Sequence, residues 1–188
     1  MENTLVFIDA EYLRLVARLL FGGKPPKYDI KKIAIELAKE QGYWCKTVFY
    51  YTAPPYQSKQ STPEEDLRKA RYDSFIRSLR KRKEIVVREG RCQKMGSEYH
   101  QKGVDTYLVI DLITKPPKEN VKTVIIVTSD TDFVPAIDYL KSEFGISAII
   151  YYHVERKDSR FSLSDHIRTV CDKSIMLTRR HFEGCLLN

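Results

Sequence analysis

Four aspartates, Asp9, Asp105, Asp130 and Asp132, each stand at the end of a predicted strand or the start of a predicted helix. Carboxylates gathered at one place disfavour joint ionisation, and a bound cation is the usual remedy. Oxygen-only ligands point to a hard ion, Mg²⁺ or Mn²⁺, held by a few carboxylates and several waters. Such a site activates a water nucleophile and stabilises the charge that develops on a phosphodiester, so the implied reaction is hydrolytic cleavage. Taken singly, each aspartate has a plainer role: Asp130 as a helix cap, Asp132 as a solvated charge, Asp105 at a helix dipole, Asp9 in a turn. Four of them at one rim favour a site.

The elements that would position them are readable from pattern. Leu5 to Ile8 is a short apolar run, as in a buried parallel strand, and it delivers Asp9 at its carboxyl end. Asp29 caps a helix in which Ile30, Ile33, Ala34, Leu37 and Ala38 follow helical spacing, with Gly42 placed to stop it. Thr47 to Tyr51 reads as a second strand, and the Pro-, Gln- and Ser-rich stretch from Thr52 to Ser61 as an exposed loop, a candidate substrate lip. Thr62-Pro63-Glu64-Glu65 combines a capping residue, Pro at the first helical position and Glu three residues after the cap. The helix it starts is expected to bury Leu67, Ala70, Phe75 and Leu79.

Glu84 to Arg88 reads as a third strand, followed by a polar stretch to Lys102 with room for a short hairpin. Val104, Leu108, Val109 and Leu112 suit a helix from near Gly103, ended by Lys115-Pro116-Pro117, and Asp105 falls in its first turn. Val121 to Thr128 is the most clearly specified strand and delivers Asp130 and Asp132. Phe133 to Phe144 is expected to be a helix closed by Gly145, Ile146 to Tyr152 a strand and Leu163 to Cys171 a final helix. This alternation predicts an α/β fold, a mainly parallel central sheet flanked by helices in three layers, with binding sites beyond the strands' carboxyl ends.

The 188 residues suit a single domain, 1–188. Lys and Arg outnumber Asp and Glu 32 to 25, a net charge of +7, which favours acidic partners such as nucleic acid. Cys45, Cys92, Cys171 and Cys185 form no CxxC pair, which suits a reduced intracellular chain rather than a zinc site. No basic-then-apolar leader and no apolar run near the roughly 20 residues of a membrane span appears, so a cytoplasmic chain without membrane attachment is expected. Neither a P-loop nor a paired-glycine dinucleotide motif is present, and His100, His153 and His166 sit near no serine or cysteine motif. His181 and Cys185 are read as structural.

Around the aspartates, Ser129 and Thr128 are hydroxyls suited to a phosphate, a metal-bound water or a cap, and Lys102 is placed to neutralise a phosphate near Asp105. Asp111, six residues after Asp105, is rotated well away from it at 3.6 residues per turn, so it and Glu11 are outer members at most. Arg68, Lys69, Arg71, Arg77, Arg80, Lys81, Arg82 and Lys83 crowd one helix, with Arg88, Arg91 and Lys94 after it and Tyr50, Tyr51, Tyr56 and Tyr72 nearby. These suit a groove where cations meet phosphates and unpaired bases stack on rings; a solvated helix surface is the alternative.

Three segments resemble the NYN family, a PIN-like nuclease-fold group that includes LabA-like bacterial proteins. They are Val6-Phe7-Ile8-Asp9, Lys102-Gly103-Val104-Asp105 with Asp111, and Ser129-Asp130-Thr131-Asp132-Phe133-Val134-Pro135. The resemblance spans nearly the whole chain. It implies a PIN-like fold and a metal-dependent ribonuclease using Mg²⁺ or Mn²⁺, with Asp9, Asp105, Asp130 and Asp132 as the acidic metal-site residues. The partner would be RNA, single-stranded or structured, and a homo-oligomer is compatible with the reading; from their own places in the sequence, Ser129, Lys102, Arg71 and Tyr12 are the expected substrate-binding residues. The chain departs from the family at Asp9-Ala10-Glu11-Tyr12, where Gly usually follows the aspartate and Asn comes two residues later. Tyr12 cannot supply an amide's donor and acceptor pair. The competing expectation is therefore a catalytically weak or inactive RNA-binding module on the same fold.

Overall fold

The computed structural model describes residues 1–96, 98–154 and 165–187. Among them, β1 (Glu2–Asp9), β2 (Tyr43–Thr52), β3 (Ile85–Glu89), β6 (Thr123–Val127), β7 (Ser147–Tyr152) and β8 (Lys173–Met176) form one sheet. Its order is β3-β2-β1-β6-β7-β8, and every neighbouring pair is parallel. A separate antiparallel hairpin, β4 (Arg91–Met95) and β5 (Glu98–Lys102), fills the stretch where a hairpin was expected. The helices are α1 (Ala10–Leu20), α2 (Ile30–Glu40), α3 (Pro63–Arg80), α4 (Val104–Lys118), α5 (Val134–Phe144), α6 (Asp165–Val170) and α7 (Arg180–Glu183).

Central strands such as Leu5–Ile8 and Val124–Val127 are fully buried because helices cover both faces, which is why they read as continuous apolar runs. Two apolar clusters result. One joins Val6, Ile8, Val48 and Ile125 to α1 and α2, and the other joins Leu5, Phe7, Phe49 and Ile126 to α4 and α5. From β1 the chain winds outward through β2 and β3; it then returns to β6 beside β1 and winds the other way. The reversal of strand order lies between β1 and β6, where doubly wound sheets open a crevice at the strands' carboxyl ends.

Several expectations are corrected. The helix α4 continues through Pro116 and Pro117 to Lys118, and the N–H groups of Glu119, Asn120 and Val121 close it onto the carbonyls of Lys115, Pro117 and Pro116. Asn120, at φ 52°, then reverses the chain. In α3 only Ile76 and Leu79 are buried, whereas Leu67 and Phe75 are exposed and Ala70 faces solvent. Its partner is the edge strand β3, so the amino-terminal half of α3 projects beyond the sheet. The helix α1 and the closing elements β8 and α7 were not expected at all. Of the expected Leu163–Cys171 helix, Leu163 and Ser164 lie outside the described residues, and Asp165–Val170 is helical. No described helix is long and apolar enough to cross a membrane.

Candidate active site at the sheet's reversal point

Ile8 pairs with Val127 across β1 and β6, so Asp9 and Thr128 leave the sheet side by side. Asp9 ends β1 and caps α1: its Oδ1 accepts the N–H groups of Glu11 at 3.0 Å and Tyr12 at 3.1 Å. Asp130 does the same for the 3₁₀ turn Thr131–Phe133, with Oδ1 accepting the Asp132 N–H at 2.9 Å. The plainer capping roles are thus real, and each uses one oxygen. The Oδ2 atoms of Asp9 and Asp130 have no hydrogen bond among the described residues. Thr128 is buried, and its hydroxyl accepts the Asp130 N–H at 3.2 Å, so it shapes the loop rather than facing a ligand.

Asp105 reaches the same rim from the hairpin. Gly103 sits at φ +81°, a left-handed conformation that non-glycine residues adopt at a cost, and there the chain turns from β5 into α4. That turn places Asp105 in the first turn of α4, with no side-chain cap competing for the helix end.

The four carboxylates feel one another. Burial and the neighbouring Asp105 charge push Asp9 up to about 6, against the pull of its two cap amides. Burial, then Asp130 and Asp132, raise Asp105 in turn. Asp105 is therefore the hub that links the β1 end to the β6 loop. Among the described residues no three His, Cys, Asp or Glu side chains stand close enough to form one shared metal shell. This donor set fits an ion held by one or two carboxylates and otherwise by water, the way Mg²⁺ is commonly bound.

The other expected site residues separate. Tyr12 is buried rather than substrate-facing: its hydroxyl accepts the His153 N–H at 2.7 Å, and burial pushes its pKa up to about 12. Ser129 approaches that hydroxyl, so Tyr12 acts as a support beneath the loop. Lys102 is exposed and lines a separate hollow with Glu89, Arg91 and Tyr107. Arg71 is exposed but does not line the cleft beside Asp9; Arg68, three residues earlier, does. Of the four tyrosines, Tyr50 and Tyr72 line that cleft, Tyr56 packs on Tyr99, and Tyr51 is in the core. The basic stripe on α3 is partly spent, since Lys69 pairs with Asp73, Arg80 with Glu89 and Arg82 with Asp29.

Asp111 confirms the helical-rotation argument. It is buried against Arg88, whose Nε lies 2.7 Å from Oδ2 and whose Nη2 lies 2.9 Å from Oδ1, and it accepts the Tyr51 hydroxyl at 3.2 Å. Glu11 is engaged by Arg14 in the same two-pronged way. Cys45, Cys92, Cys171 and Cys185 are all free thiols. His181 contacts Glu40 and Thr178, and Cys185 is buried.

The family model for the NYN domain matches residues 3–178. The chain belongs to the NYN domain family. That family comprises nucleases, and its match runs through all four rim aspartates. A solved structure with the NYN chain's fold is that of a protein of unknown function, VPA0982, from Vibrio parahaemolyticus RIMD 2210633. The two share 16% identity and a TM-score of 0.59, over 99% of this chain and 96% of that one. At that identity the likeness establishes the α/β fold alone. No curated protein matches the NYN chain in sequence.

Proposed function

We propose that the chain is a metal-dependent ribonuclease that hydrolyses RNA phosphodiester bonds at Asp9, Asp105, Asp130 and Asp132. The observation that carries this reading is the placement of carboxylates from three separate elements, the end of β1, the first turn of α4 and the loop after β6, at the reversal point of a parallel sheet. Among the described residues these carboxylates make no ion pair, although the chain as a whole carries a surplus of Lys and Arg. That is an expensive arrangement for stability alone. One or two of these four carboxylates would hold Mg²⁺ or Mn²⁺ directly and the others through its waters; the ion when bound would supply an activated water and charge stabilisation at the phosphate.

The chain's own part is positioning. The cap amides fix Asp9 and Asp130 through Oδ1 and leave Oδ2 of each without a hydrogen bond among the described residues, so those atoms would be the acceptors for a water's proton. Purified protein with Mn²⁺ should cleave a labelled RNA, EDTA should stop it, and Asp9→Asn or Asp130→Asn should lose the cleavage. Equal cutting by those variants, or no cutting with either ion, sinks the proposal.

One observation favours a second reading, an RNA-binding module with weak chemistry on the same fold. Tyr12 is buried and engaged where relatives would carry an amide, so no such group faces the rim from that position. RNA binding that survives aspartate replacement, with no product detected, would select this version.

A further inference from the structure

A cleft of about 520 Å³ opens beside Ala10 and Glu11, the residues directly after Asp9. Its walls come from α1, the loop after β2, α3 and the β4–β5 hairpin, through residues including Tyr50, Arg68, Tyr72, Phe75 and Gln101. We propose that this cleft seats one unpaired nucleotide of the RNA next to the scissile phosphate. The base lies against Phe75 and Tyr72, the Tyr50 hydroxyl and Gln101 read the base edge, and Arg68 takes the phosphate. The identity of the substrate rests on the ribonuclease reading; the cleft's preference for an unpaired nucleotide does not.

Tyr50 is the most telling residue. It is one of four buried tyrosines, at 7% exposure. The hydroxyls of Tyr12, Tyr51 and Tyr151 all have protein partners, whereas that of Tyr50 has none among the described residues. No described buried polar side-chain atom is both sealed from solvent and unpaired, so the Tyr50 hydroxyl opens into the cleft that it lines. A buried phenol normally finds a hydrogen-bond partner, and here a ligand would be that partner.

The surrounding groups suit a nucleotide. Phe75, 38% exposed, packs edge-on against Tyr50 with ring centres 6.1 Å apart, and Glu89 holds the Tyr72 hydroxyl at 2.9 Å, so the apolar wall is prearranged. Arg14 is already matched to Glu11, but Arg68 makes no ion pair among the described residues and remains available for a phosphate. The hairpin wall is anchored at its base: a Cβ on Gly90 would collide with the Lys102 carbonyl and with Val104. Farther along it, Tyr99 packs on Tyr56 of the loop. The volume falls within the range of small-ligand pockets, roughly 300–1,000 Å³. A base within a duplex is stacked and has its pairing edge occupied, so it cannot enter.

The test is equilibrium binding in EDTA, where nothing is cut, using fluorescence anisotropy of a labelled single-stranded RNA ten-mer and a labelled RNA duplex. Tyr50→Phe, which removes only the hydroxyl, should weaken single-strand binding about 3- to 10-fold and leave duplex binding unchanged. Arg68→Ala should weaken it and lower the slope of log affinity against log salt by about 0.7. Arg71→Ala, on the same helix but outside the cleft, should be the milder variant. The proposal is overturned if wild type binds duplex as well as single strand, if it binds no RNA, or if Tyr50→Phe and Arg68→Ala both bind like wild type. Selective binding without metal-dependent cutting would defeat the ribonuclease reading and leave the seat standing. Aspartate-dependent cutting with unaltered binding in both cleft variants would do the reverse.

Discussion

Asp105 and Asp111 lie on one helix, six residues apart, and the fold treats them in opposite ways. Asp111 is buried and fully compensated by Arg88 and Tyr51, so that it ties α4 to β3 and β2. Asp105 keeps solvent contact at the rim, and partial desolvation together with the like charges of Asp130 and Asp132 raises its pKa. One carboxylate is spent on the architecture; the other has no ion pair among the described residues and stands with three more. Compensation therefore separates a structural acid from a candidate ligand more sharply than burial or sequence motif does.

The contrast breaks most visibly at Asp111. Asp111→Ala leaves the half-exposed Arg88 charge to solvent and the buried Tyr51 hydroxyl without its partner, and should cost about 1–3 kcal/mol, read from urea denaturation. A loss under about 1 kcal/mol would mean that the pair contributes little and that the comparison fails. At the rim the sign should reverse. Asp9→Asn keeps a capping side chain but removes a charge whose pKa is raised from 3.8 to about 6, so the variant should be more stable in EDTA at pH 7.5, by up to about 3 kcal/mol.

The pH dependence follows from the same shift. Folded protein holds the Asp9 proton more tightly than unfolded chain does, so this group's contribution is favourable below its unfolded pKa and declines as pH rises from about 4 to about 6. The stability gap between Asp9→Asn and wild type should therefore widen across that window and stay level above it. A gap that is constant from pH 4 to pH 8 would contradict the raised pKa.

Smaller effects sharpen the picture. Tyr12→Phe removes the acceptor of the His153 N–H and should cost about 1–2 kcal/mol in thermal denaturation, with RNA affinity in EDTA unchanged. A large loss of affinity would return Tyr12 to the substrate surface. Asp105→Asn should stabilise in the same direction as Asp9→Asn but by less than about 0.5 kcal/mol, because solvent screens the like charges at this exposed position.

Much of this contrast is local enough to be visible in the sequence. Strand ends and helix starts place Asp9, Asp105, Asp130 and Asp132 on one rim, because parallel strands share a carboxyl edge and helical rotation excludes Asp111. What escapes is set by packing between distant segments. Arg68 rather than Arg71 lines the cleft because it shares a helix face with Tyr72 and Phe75, four and seven residues on, and Tyr51 is lost to the core while its neighbour Tyr50 lines the cleft. The fate of Tyr12 depends on His153, 141 residues away. The missed helix α1 is different, because its signal is local: Asp9 as a cap, Leu13, Val16 and Ala17 at helical spacing, and Gly22-Gly23 beyond its end. Asp9 is at once a strand end and a helix start.

The most direct test of the rim's chemistry is cleavage of a labelled single-stranded RNA by wild type and Asp105→Asn prepared side by side, in EDTA and after Mn²⁺ is restored. Wild type should cut only with Mn²⁺, and Asp105→Asn, folded to the same stability, should be slower by at least about 100-fold, the scale of losing a group that acts in the transition state. Equal cleavage by the two proteins, or cleavage by wild type that EDTA leaves untouched, would contradict a metal-dependent site built around Asp105.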